Sequence, residues 1–233
     1  MAEAILAGQG ERPSPRANAV KLSEIAYERF KEQLFANQIV AGSTVSQADL
    51  VRQLGVPLSP VREAILILQA EGLVRVNPRS GIDIVKPDLT MIRNAYQMRM
   101  ILEREATRKF AELCSPAELD AIEANHEAVL ARIDPNMSRD AIFDSLFTLD
   151  SEFHNQLIAS FDNPVITDAY GQTVQKIRLI RLDRRHLHSP HAVRKTIEEH
   201  RVILKALRDQ DVEAAVTAMD AHMRSALHRI MGF

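Results

Sequence analysis

Residues 46–85 read SQADLVRQLGVPLSPVREAILILQAEGLVRVNPRSGIDIV, and the reading of this stretch decides the fold. Ser46 can cap the free amides of a helix whose third position is Asp49. That helix runs through Leu50 and Leu54 and stops at Gly55. After the tight connection Gly55–Leu58, Ser59 is the expected cap of a second helix, with Pro60 at its first position. Val61, Ala64, Ile65 and Leu68 recur at helical spacing, and the pattern ends near Gly72. Residues 73–76 and 82–85 are β-branched segments flanking the Pro/Gly turn Asn77–Gly81, which predicts a hairpin. Upstream, Leu22, Ile25, Ala26, Phe30 and Leu34 mark another helix through Phe35, and Thr44-Val45 forms a short strand. Helix, helix, turn, helix and hairpin in this order make a winged helix-turn-helix.

The rest of the chain is different. Lys86-Pro87 marks a boundary, and residues 87–233 read as six helices joined by short loops, an antiparallel all-α bundle. Ser115-Pro116-Ala117-Glu118, Asn163-Pro164 and Ser189-Pro190 are helix openings with proline at the first position. Three segments are thus expected: a mobile tail over residues 1–18, a winged helix-turn-helix over 19–86, and a helical effector-binding and dimerisation domain over 87–233. The fold class is mainly α. The single Cys114 excludes an intrachain disulfide framework, and no apolar run is long enough to span a membrane. The N-terminal stretch lacks the layout of a secretory signal, so a cytoplasmic setting is expected. Net charge is −2, with +1 on residues 1–87 and −3 on the remainder. Charge alone therefore does not announce a nucleic-acid binder; the case rests on pattern.

In a helix-turn-helix the second helix of the pair presents its N-terminal end to the major groove. Here that end holds Ser59, Pro60 and Arg62, and the planar fork of Arg62 suits guanine or phosphate; a solvated helix position is the other reading. In the helical half, Asp150 and His154 are four residues apart in an apolar stretch and share one helix face. His200 and His222 are each eleven residues from Asp211, at the expected turn between the last two helices, so an antiparallel pair sets them side by side. One carboxylate and three imidazoles on three helices would suit a divalent ion such as Zn²⁺, Ni²⁺ or Mn²⁺. Alternatively each histidine caps a helix or bonds a carbonyl. His126, His186, His188, His191 and His228 lack such partners and are expected to be surface or structural.

The run Ser59-Pro60-Val61-Arg62-Glu63-Ala64-Ile65, followed by Leu68-Gln69-Ala70-Glu71-Gly72-Leu73-Val74, resembles the signature of the GntR family of bacterial transcription regulators. The resemblance implies a homodimer on a palindromic double-stranded DNA operator, with each wing reaching the minor groove. Ser46, Ser59, Arg62 and the wing tip Arg79-Ser80-Gly81 fall at positions that contact DNA in such proteins. The chain departs from the family pattern at Leu58 and Ala48, where basic residues are usual, so the operator sequence does not transfer. Asp150-x-x-Phe153-His154, His200-x-x-Ile203-Leu204 and Met219-x-x-His222 resemble the metal pattern of FCD effector domains, in the branch named after a fatty-acid regulator. There the ion helps to hold a small organic-acid or sugar-acid effector.

Arg99, one turn before Glu103, resembles an Arg-x-x-x-Glu pair of that domain and is a bidentate partner for an effector carboxylate; an ion pair with Glu103 is the other reading. Arg178, Arg181 and Arg185 share a face, and Arg178 is taken as the one that enters the effector pocket. The functional expectation is a ligand-responsive repressor in which effector binding shifts the paired winged helices of a dimer. A metal sensor without an organic effector and a metal-dependent hydrolase are the alternatives. Against the hydrolase, no general base accompanies the ligands, since Glu152 should point away from Asp150 and His154.

Overall fold

A computed structural model describes residues 15–187 and 189–232. The chain divides between Val85 and Lys86 into two compact units. The first contains α1 (Pro15–Phe35), β1 (Thr44–Val45), α2 (Gln47–Leu54), α3 (Leu58–Ala70), β2 (Val74–Asn77) and β3 (Gly81–Ile84). The strands form an antiparallel sheet in the order β1-β3-β2, with Val45 opposite Ile82 and Val74 opposite Ile84. α1 packs on α3, and Phe30, Leu34, Leu50, Leu68, Leu73 and Ile82 are buried in the core.

Local chemistry explains the boundaries. Ser46 and Asp49 form a reciprocal capping box, and Gly55 closes α2 in the left-handed region at φ 62°. α3 differs from the sequence reading, because Pro57 occupies the cap position and the helix starts at Leu58. Ser59 therefore caps nothing and lies within the first turn, as does Pro60. The extended backbone of Pro57 (φ −57°, ψ 160°) already supplies the entry geometry, and the first helical bond runs from Val61 N–H to the Pro57 carbonyl at 3.2 Å. The amides ahead of Val61 have no intrahelical acceptor, so the missing N–H of Pro60 costs nothing there either. α1 begins at Pro15, within the segment expected as a tail, and residues 1–14 lie outside the described residues.

Gly81 starts β3 with φ 114°, and a Cβ there would stand 2.9 Å from the Val45 carbonyl oxygen. Gly81→Ala is therefore expected to destabilise the winged unit by about 1–3 kcal/mol, through backbone strain and that contact. Chemical denaturation followed by circular dichroism measures this loss; an unchanged midpoint would show that the hairpin absorbs the methyl group.

The second unit contains α4 (Leu89–Leu113), α5 (Pro116–Arg132), α6 (Arg139–Ala159), α7 (Pro164–Asp183), a 3₁₀ turn (Arg185–Leu187), α8 (Pro190–Arg208) and α9 (Val212–Met231). Each helix opens on a side chain that accepts from its first turn: Asp88, Ser115, Ser138, Asn163, Ser189 and Asp211. α4 packs against α6, α7 and α9, and α8 lies between α5 and α9. The buried stripes are apolar at their ends and polar in the middle. On α4, Tyr96 and Ala106 flank Arg99 and Glu103; on α6, Leu146 and Leu157 flank Asp150 and His154. On α8, Ile197 and Ile203 bracket His200, and on α9 Met219 and Met223 bracket His222. Packing these stripes together encloses a polar centre in an apolar shell. Among the described residues, no helix is long and apolar enough to cross a membrane.

Candidate metal centre and nucleic-acid interface

The structure brings Asp150, His154, His200 and His222 together, all buried, with one donor atom of each within 4.8 Å of the others. His154 Nε2 lies 3.2 Å from His222 Nε2, and His200 Nε2 lies 3.3 Å from the same atom. Asp150 Oδ1 stands 3.7 Å from His154 Nε2.

The outer partners decide where the ring protons sit. His154 Nδ1 is 2.6 Å from Glu103 Oε2, and His222 Nδ1 is 2.8 Å from Glu199 Oε2. Burial opposes ionisation of Glu103, but Arg99 and His154 outweigh it and hold its pKa at about 2. Glu199 is likewise held at about 2, where bonds from His222, Arg229 and Ser225 overcome partial burial. Both carboxylates are ionised and need a proton from the facing Nδ1. His200 Nδ1 is 2.8 Å from His126 Nε2, and His126 Nδ1 is 2.7 Å from the Ile122 carbonyl. A carbonyl only accepts, so His126 carries its proton on Nδ1 and accepts at Nε2 from His200.

In the candidate ligands His200 and His222 these bonds place the proton on Nδ1 and leave the Nε2 lone pair inward, and the ionised Glu103 at 2.6 Å favours the same tautomer in His154. Three lone pairs at such separations repel unless a cation lies among them. Nitrogens 2.0–2.1 Å from a shared Zn²⁺ at a tetrahedral angle would be about 3.3 Å apart, so the donor set fits such an ion. Burial, followed by the charge of its neighbours His222 and His154, pushes the His200 pKa well down, which keeps its lone pair available. Burial also lowers His222. His154 is raised, because against burial Glu103 and Asp150 together favour its charged form, so in acid a proton competes for the same site.

Asp150 uses its other oxygen for arginines: Arg181 Nη2 is 2.9 Å and Arg99 Nη2 3.4 Å from Oδ2. Burial would raise its pKa, but Arg181, His154 and Arg99 hold it well below the ordinary carboxylate range. Arg99 also donates from Nε to Glu103 Oε1 at 2.6 Å, and Tyr170 OH donates to the same oxygen at 2.7 Å. Arg99 thus pairs with Glu103 and still has Nη1 without a hydrogen-bond partner among the described residues. Arg181 Nη1 and Tyr96 OH are buried without partners in the same way. Tyr96 and Arg181 line a cavity of about 30 Å³ that Leu146, Thr196 and Arg229 also border.

Arg178 is placed differently from the expectation. Its guanidinium lies 5.0 Å over the Phe147 ring, and Arg181 is the arginine that reaches the centre. The two residues are three apart on α7, only about 60° around the helix, and their side chains still reach different neighbours, Phe147 and Asp150. His126 is also corrected. It is 1% exposed and bonds a candidate ligand, whereas His186, His191 and His228 are exposed and His188 lies outside the described residues. The signal was present in the spacing of Leu119, Ile122, His126 and Val129, which puts residue 126 on the buried face of α5. Glu103 and Glu199 were missed as ring partners. Glu152 is exposed and accepts from Asn125.

In the first unit, Ser59, Arg62, Arg79 and Ser80 are exposed. Arg62 Nε donates to Gln47 Oε1 at 2.9 Å. Ser46 is exposed, with its hydroxyl engaged in the α2 cap. Pro60 is buried with Val61, Ala64, Ile65 and Leu68, on the inner face of α3. Leu58 and Ala48 are exposed, placing uncharged side chains at those two positions of the surface.

The sequence matches the bacterial regulatory proteins, gntR family, over residues 22–84 and the FCD domain over residues 94–225, more than half of the chain. The chain belongs to the GntR family and carries an FCD domain. The HTH-type transcriptional regulator in unstable DNA locus of Streptomyces ambofaciens is 29% identical over 210 residues, covering 88% of this chain and 83% of that one. The HTH-type transcriptional repressor RspR of Escherichia coli K12 is 26% identical over 190 residues, covering 80% and 78%. Among solved structures, E. coli McbR/YncC superposes with a TM-score of 0.74 at 19% identity, covering 90% of this chain and 97% of its own. A GntR transcriptional regulator from Rhodococcus sp. RHA1 gives 0.70 at 19% identity, covering 92% and 98%. These GntR-family folds agree with a mainly helical chain that has a winged helix-turn-helix at its N-terminal end.

Proposed function

We propose that this GntR-family regulator is a ligand-responsive repressor. It binds a palindromic operator as a homodimer and senses a small organic or sugar acid beside a divalent ion held by Asp150, His154, His200 and His222. The ion would be Zn²⁺, Ni²⁺ or Mn²⁺ and supplies an electrophilic anchor for effector oxygens. The observation that carries the reading is the pairing of three inward lone pairs with the unpartnered donors of Arg99, Arg181 and Tyr96.

Charge supports an anionic effector. With neutral imidazoles, Arg99 and Arg181 balance Glu103 and Asp150 in the buried centre. A divalent ion leaves that centre with an excess of two positive charges, and burying such an excess without a partner is costly. A carboxylate-bearing effector cancels it and satisfies the free arginine donors in planar fashion. Those donors favour an organic anion over a sensor of the ion alone. The small cavity holds about one water-sized group, so the pocket must open further to admit a complete effector. Coupling between effector and operator requires differential binding worth ~1–3 kcal/mol. The repressor sign draws on the name of the RspR relative, and a DNA-binding role implies the cytoplasm as the site of action.

The test is a salt series of binding to operator DNA selected from a random pool, for the wild type and Arg62→Ala. The variant should bind ~5–150-fold more weakly, matching a loss of ~1–3 kcal/mol for a base-reading arginine. Adding mono- and dicarboxylates to the metal-loaded wild type should release the DNA. Equal and salt-insensitive binding by both proteins would overturn the operator reading.

A further inference from the structure

We propose that His126 is a positioning residue for His200: it turns the His200 Nε2 lone pair into the metal centre and thereby sets the affinity for divalent ions. The proposal rests on the metal reading above.

α5 contributes no member of the four-residue donor set, yet it sends His126 to the back of one of them. His126 is 1% exposed, and both of its ring nitrogens are used, Nδ1 on the Ile122 carbonyl at 2.7 Å and Nε2 on His200 Nδ1 at 2.8 Å. The Ile122 carbonyl lies one turn back on the same helix, so α5 itself dictates the tautomer of His126. The direction of each bond then follows in turn. Ile122 accepts, His126 donates from Nδ1 and accepts at Nε2, and His200 donates from Nδ1, which leaves Nε2 of His200 bare. Phe153 holds the same two rings from the side. It stacks on His200 at 4.1 Å between ring centroids and meets His126 edge-on at 5.7 Å. His200 thus has its tautomer set by one neighbour and its plane by another.

Glu103 and Glu199 perform this service for His154 and His222 as carboxylates, whereas His200 is backed by a neutral ring. Outer partners of metal-bound histidines fix tautomer and orientation, and their loss costs ~10–100-fold in metal affinity.

The experiment uses the full chain and Zn²⁺, with affinity read by competition against a chromophoric chelator, for wild type, His126→Phe and His126→Gln. His126→Phe should bind Zn²⁺ ~10–100-fold more weakly. His126→Gln should recover most of that loss, since its amide oxygen accepts from His200 Nδ1 while its NH₂ donates to Ile122. Long-range ¹H–¹⁵N spectra of the wild type should show the ring protons of His126 and His200 on Nδ1. Unchanged affinity in His126→Phe, or an Nε2-protonated His126 in the wild type, overturns the role of His126. Failure of the wild type itself to bind Zn²⁺ overturns the metal reading on which it rests.

Discussion

An Arg99→Met variant is expected to lose about 3–5 kcal/mol of stability, the usual result of removing one partner from a buried ion pair. Arg99 is 2% exposed and serves two carboxylates, Glu103 at 2.6 Å and Asp150 at 3.4 Å. Methionine fills much of the volume but leaves Glu103 with the Tyr170 hydroxyl and the His154 ring at 2.6 Å, and Asp150 with Arg181. The centre then carries a net negative charge away from water, and that uncompensated charge, rather than the lost contact, dominates the effect. Urea denaturation followed by far-ultraviolet circular dichroism measures it. Excess Zn²⁺ should restore part of the loss, because the ion neutralises the same carboxylates. A loss below about 1 kcal/mol would mean that the pair behaves like a solvated surface bridge.

His200→Ala should reduce divalent-metal affinity by more than the ~10–100-fold expected for an outer partner, since it removes a ligand atom and also strands His126. Elemental analysis after dialysis against Zn²⁺ at micromolar concentration checks this. His191→Ala, a change at an exposed position, should match the wild type. Metal content equal to wild type in His200→Ala would take His200 out of the centre. Because ligand histidines must shed protons to bind, uptake should also weaken as the pH falls. The sign follows from His154: its raised pKa means that protonation begins there first and competes directly for its inward nitrogen.

Much of this architecture was legible because it is written in local rules. A serine three residues before an aspartate, a glycine at the end of α2 and a Pro/Gly turn between β-branched segments each act within a few residues, and they mark α2 and the wing. The meeting of Asp150, His154, His200 and His222 was legible for a related reason. Helix periodicity relates the first two, and their equal distance from the α8–α9 turn relates the others.

Features that depend on how helices rotate against one another were not legible. Arg178 and Arg181 share a broad face, and only the packing of α7 on α6 assigns the first to Phe147 and the second to Asp150. Glu103 and Glu199 look like ordinary helix residues until α4 and α8 are docked beside the rings they serve. Ser59 failed as a cap because Pro57, two residues earlier, already turns the chain into the helix. His126 had the periodicity of a buried position, but the identity of its partner 74 residues away came only from tertiary structure.

The central claim is that three imidazole lone pairs and one carboxylate face a common cation. Its most direct test is the metal stoichiometry of purified wild-type chain, stripped with a chelator and then dialysed separately against Zn²⁺, Ni²⁺ and Mn²⁺. The account predicts one tightly held ion per chain for at least one of these metals. Absence of retained metal in all three cases, from protein that remains folded, would contradict it.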